Sequence, residues 1–185
     1  MGEQHKKHSR REHLNDFHLN VAGEYVYDGA LYACQNDDAK QRRSKRAVWG
    51  MAAILTVAVA AGGCIPAPGM QNCFYVLLPY LGEFLGAASV IWALAKLGMD
   101  WSAVREYNYK KSVAVLPVRT AVTAVFSGLG IVCELIFFFV NDHAGQTFFA
   151  LLYVLLKLIA LLSVLVLRAE IMQAEWDKLP KKNNF

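Results

Sequence analysis

Three charged residues stand deep inside long apolar runs. Glu83 lies in "FYVLLPYLGEFLGAASVIWALA", Glu134 in "PVRTAVTAVFSGLGIVCELIFFFV" and Lys157 in "FFALLYVLLKLIALLSVLVL". A charge at the centre of a membrane helix costs about 2.5–3.5 kcal/mol even on the lenient insertion scale. These residue types in that setting point to two kinds of chemistry. One is a buried ion pair that fixes how the helices pack. The other is a polar site that binds an ion or relays a proton.

Other reactive residues offer less. Cys64 and Cys73 flank "IPAPGMQN" and could close a ten-residue loop as a disulfide, worth roughly 2–3 kcal/mol. Their spacing is not the C-x-x-C of thiol oxidoreductases, so the expected bond is structural, with Cys34 and Cys133 left as thiols. His5, His8 and His13 crowd one terminus but are not read as a metal site, and no metal or cofactor is expected. Phosphate-binding glycine loops, H-E-x-x-H and G-x-S-x-G are all missing. A non-enzymatic chain is expected.

The elements that hold the three charges follow from composition. The chain has 185 residues, of which 56% are hydrophobic and 18% charged. Soluble domains run to about a quarter charged, and here the two kinds of residue are segregated. Residues 1–46 are polar and basic, and long apolar runs follow. A bilayer takes about 20 apolar residues to cross as a helix. Four runs meet that length, at about 47–65, 74–96, 117–140 and 147–168. They lack the alternation of a barrel, so the fold class is an all-α membrane protein, a four-transmembrane-helix bundle. "RRSKR" before an apolar run ending in "AAGGC" also has the look of a lipoprotein signal, but its charged region is longer than such signals allow.

Basic residues set the expected orientation, because they collect on the cytoplasmic side. They crowd residues 1–46, recur as Arg105, Lys110 and Lys111 in the middle connection, and return as Arg168, Lys178, Lys181 and Lys182. The stretches 66–73 and 141–146 carry no Lys or Arg. Both termini are therefore expected in the cytoplasm, in the cell membrane, with Cys64 and Cys73 outside.

With that orientation the three charges come to similar depths. At 1.5 Å per residue, Lys157 lies roughly 15 Å below the outer end of its helix, Glu83 roughly 13 Å and Glu134 roughly 9 Å. Small residues mark packed helix faces in membranes. Gly82 and Gly86 flank Glu83, Ser127 and Gly130 share a face with Glu134, and Ala150, Tyr153 and Ala160 share one with Lys157. All three charges should point inward, with Lys157 held by Glu83, Glu134 or both, and Glu83 the closer match in depth. Pro79, one turn before Glu83, should disturb the helix there.

The flanking segments read as partner surfaces. Phe17 to Cys34 alternates apolar residues around Asp28-Gly29, a hairpin turn signal, and is rich in tyrosine. Residues 169–185 should extend the last helix for two or three turns, with Ile171 and Trp176 available for packing. The basic clusters suit anionic lipid at the cytoplasmic face, and nucleic acid is not needed to explain them. The expected function is an accessory or assembly subunit of a membrane complex, bound to other membrane subunits or to itself. The alternative is a small oligomeric transporter or channel built on Glu83, Glu134 and Lys157.

Overall fold

The computed structural model describes residues 17–19, 23, 25–27, 29–141 and 147–180. The histidines at 5, 8 and 13 lie outside the described residues, as do Asp28 and residues 181–185. Among the described residues, four helices are long and apolar enough to cross a membrane, as a multi-pass membrane protein requires. They are α1 (Asp38–Cys64), α3 (Phe74–Leu97), α5 (Leu116–Val140) and α6 (Thr147–Met172). The short helices α2 (Pro68–Asn72) and α4 (Glu106–Lys111) lie in connections.

Each helix boundary has a local cause. Pro68 opens α2 and Pro117 lies in the first turn of α5, where the missing N–H costs nothing. Gly98 ends α3 at φ 71°, a conformation that favours glycine, and its N–H bonds the Leu94 carbonyl at 3.0 Å. Asp38 to Arg46 join the start of α1 rather than preceding it. Their lysines, arginines and glutamine are good helix formers. Pro79 sits inside α3, buried, and the helix continues through it.

The four long helices pack in a ring: α6 contacts α1 and α5, α5 contacts α3, and a thinner seam joins α3 to α1. The α3–α5 contact is close because two glycines permit it. A Cβ at Gly86 would meet the Thr123 hydroxyl oxygen at 2.6 Å, and one at Gly82 would meet the Phe126 ring at 2.5 Å. Overpacking of this kind costs about 1–3 kcal/mol. Gly86→Val is therefore expected to lower the melting temperature in detergent. An unchanged melting curve would show that the seam opens freely.

Among the described residues, five strands accompany the helices. β1 (Phe17–Leu19) pairs antiparallel with β2 (Tyr25–Tyr27), Phe17 opposite Tyr27. Their connection is 20–24, not Asp28-Gly29 as the turn signal implied. Gly29 leads instead into β3 (Leu31–Cys34), which pairs with β4 (Val104–Arg105) on one side and β5 (Trp176–Lys178) on the other. The tail thus departs from expectation: α6 stops at Met172 and Trp176 enters a strand. β5 instead pairs with β3, Tyr32 opposite Lys178 and Cys34 opposite Trp176. Leu179 N–H bonds the Leu31 carbonyl at 2.8 Å, and Gln35 N–H bonds the Glu175 carbonyl at 2.9 Å.

This small sheet binds together the leader, the α3–α5 connection and the tail at one end of the bundle. Beneath it lies an apolar cluster that includes Cys34, Val48, Leu94, Trp101, Val104, Leu116 and Ile171. Tyr32 stacks on Tyr109 at 4.2 Å between centroids, and Trp176 lies 5.6 Å from Trp101 and 5.9 Å from Tyr109. Polar ties cross the same end. The Ser44 hydroxyl donates to Glu170 at 2.7 Å, Arg119 donates to the Ser89 carbonyl at 2.7 Å, and Arg168 donates to the Pro117 carbonyl. Arg168, one of the basic residues that flag topology in the sequence, thus ties α6 to the start of α5.

At the opposite end the expected disulfide is absent: Cys64 and Cys73 are both free thiols. The intervening α2 accounts for it. Residues 68–72 wind into a helical turn whose Pro68 and Gly69 are buried. Cys64 stays exposed at the end of α1, while Cys73 starts α3 and packs with Val76 and Phe137.

Candidate intramembrane charge site

Helical periodicity brings seven side-chain positions from three helices together. On α3, Tyr80 and Glu83 are three residues apart and share a face. On α5, Ser127, Gly130 and Glu134 follow one another at spacings of three and four. On α6, Tyr153 and Lys157 are four apart. Of these, Glu83, Ser127, Gly130, Glu134, Tyr153 and Lys157 are buried.

The Glu83 carboxylate is fully engaged. Its Oε2 accepts from the Lys157 ammonium and its Oε1 from the Ser127 hydroxyl. The lysine stem crosses α5 over Gly130, where a Cβ would stand in ordinary contact, 3.5 Å from Lys157 Cε and 3.6 Å from Nζ. Two aromatic rings flank the ammonium, with Nζ 4.6 Å from the Tyr80 centroid and 5.2 Å from that of Tyr153. The ring faces carry negative charge density and attract a cation, more strongly where water is excluded. Tyr80 is tied in turn to α1, its hydroxyl donating to the Val59 carbonyl at 3.3 Å. The cluster therefore connects all four spanning helices.

Glu134 does not share this pair. It lies one turn along α5 from Gly130, fully buried, with its carboxylate against Gly69 of α2. Any side chain at position 69 would collide with it. The Tyr153 hydroxyl is also buried and makes no hydrogen bond to the described residues. Gly82 and Gly86 lie on the α3–α5 seam rather than in the cluster.

Burying a charge pair is costly, and mutual attraction offsets the cost only where the remaining lone pairs and protons also find partners. Here Ser127 and the two rings complete that shell. A reading of depth and small-residue stripes gives the inward positions of Ser127 and Tyr153 but misses Tyr80, the hydrogen bond of Ser127 to Glu83 and the packing of both rings on the ammonium. The spacings Tyr80–Glu83 and Tyr153–Lys157 are the signal that reveals the rings. Nothing local in the sequence reveals that α2 folds back over Glu134. Among the described residues no group of three His, Cys, Asp or Glu is placed to hold a metal ion. Comparison with protein-family models, curated proteins and solved structures finds no match for this chain.

Proposed function

We propose that this is a non-enzymatic multi-pass protein of the cell membrane that serves as an accessory or assembly subunit of a membrane complex, with both termini in the cytoplasm. The observation that carries this reading is the outward face of α1. Gly50, Ala53 and Ala60 are exposed along it, with Ile54 and Val57 as its larger residues. The outward face of α6, by contrast, carries Phe148, Leu151, Leu155, Leu158, Leu162 and Leu165. Bulky residues suit lipid, and small ones suit the close approach of another helix. The Lys157 charge is also satisfied within one chain, so no second subunit is needed to complete it.

Purification in mild detergent tests the reading. Other membrane subunits should co-purify in fixed stoichiometry. They should be lost from Ala53→Leu/Ala60→Leu while the melting temperature holds. A pure homo-oligomer that moves ions when reconstituted in vesicles would overturn it in favour of a small transporter. The buried Tyr153 hydroxyl beside the charge site favours that second reading.

Orientation has its own test. In a cysteine-free background, Gln71→Cys should react with a membrane-impermeant thiol reagent on intact cells. Ser102→Cys should react only after permeabilisation. Both positions are exposed, and the reverse pattern would invert the topology.

A further inference from the structure

At the sheet end a cleft of about 340 Å³ opens beside the end of α3, lined by Lys96, Gly98, Met99, Asp100, Arg105 and Asn108 among others. That volume is within the range of small-molecule sites. Its position sets what can enter it. Lys96 lies in the last turn of a membrane-spanning helix, with its ammonium 5.4 Å from the ring of Trp92. Trp92 and Met99 are 63% and 70% exposed. A tryptophan and a lysine at a helix end mark the headgroup layer, so the cleft opens where phosphates of lipid are concentrated.

Its chemistry selects an anion. Arg105 brings a planar fork of donors suited to two phosphate oxygens, and Lys96 brings a point charge. Arg105 is braced, its guanidinium carbon 5.4 Å from the ring centroids of both Phe17 and Tyr27. Asp100 is the one acid in the lining. It is held by Ser102, whose hydroxyl donates to it at 2.6 Å and whose N–H donates at 3.0 Å. Those bonds keep its carboxyl below the usual range, so it stays charged and does not cancel both cations.

We infer that this cleft is a binding site for the phosphate of an anionic phospholipid, seated between Lys96 and Arg105 with its acyl chains along Trp92 and Met99. The inference holds whether the chain is an accessory subunit or a transporter, because it concerns only the membrane border.

The test is a thermal-shift titration of the purified full chain in detergent with phosphatidylglycerol, phosphatidylcholine or glycerol 3-phosphate. Phosphatidylglycerol should raise the melting temperature by about 5–10 °C at a hundredfold excess over its Kd. Lys96→Gln should weaken that Kd about five-fold, the worth of one surface cation near anionic lipid. Asp100→Asn should tighten it, a gain that a merely disturbed fold would not produce. Equal shifts from phosphatidylcholine, or Kd values unmoved by both variants, would overturn the site. A shift from glycerol 3-phosphate matching that of phosphatidylglycerol would overturn the lipid assignment and leave a soluble phosphate ester as the ligand.

Discussion

Glu83→Gln is expected to destabilise the bundle by about 3–5 kcal/mol, because it strands the Lys157 ammonium in the interior. For a chain of this size that is a fall of roughly 6–20 °C in melting temperature. Lys157→Met should also destabilise, since it leaves the Glu83 carboxylate without its counter-ion. Ser127 alone cannot neutralise that carboxylate, and the acid must take up a proton at a cost. The double variant should recover much of the loss, because it removes both charges while Ser127 can still donate to the new amide. Reciprocal recovery is the mark of a direct pair. Single variants that melt like the parent would show that the pair contributes nothing. The double variant also separates the two functional readings: stable with its partner subunits retained, the pair is a structural pin; stable but inactive, it takes part in transport.

Trp101→Ala is expected to cost about 3–5 kcal/mol, the usual loss for emptying a large buried aromatic site. Trp101 is only 2% exposed and anchors the apolar cluster beneath the sheet. Its ring faces Trp176 of β5 and lies 5.7 Å from the Lys45 ammonium of α1. Its carbonyl accepts from the Cys34 N–H of β3 at 3.0 Å. The loss should appear first as release of the strands. Limited proteolysis should cut near residues 31–35 and 174–178 in the variant and not in the parent. The charge site, at a different level of the bundle, should survive, so Glu83→Gln should still lower the melting temperature in a Trp101→Ala background. Unchanged protease resistance would mean that the sheet holds without its aromatic floor.

The two substitutions probe features of opposite legibility. The Glu83–Lys157 pair could be read from the chain, because membrane helices are long and regular. The 1.5 Å rise converts residue number into depth, and the 3.6-residue turn converts it into a face. Hydrocarbon makes an isolated charge costly enough that depth and face nearly name the partner. The same regularity marks the inward positions of Ser127, Gly130, Tyr153 and Ala160. What it cannot supply is rotation and translation between neighbouring helices. Depth alone left both acids open as partners of Lys157, and packing gave the lysine to Glu83 while α2 took Glu134.

The sheet end had no comparable signal. β3, β4 and β5 span four, two and three residues, too short for alternation to rise above the background. β3 lies some 70 residues from β4 and some 140 from β5. The disulfide expectation failed for a related reason: cysteine spacing gives loop length, and α2 decides where the two thiols end up. The sequence by itself determined the four spans, which face is packed on the three that carry charges, and that Lys157 must meet an acid. Burial in lipid enforces those choices residue by residue. Tertiary structure alone decided which acid, which thiols stay apart and which strands pair. Each of those depends on segments remote in the chain, and they meet only after the helices have packed.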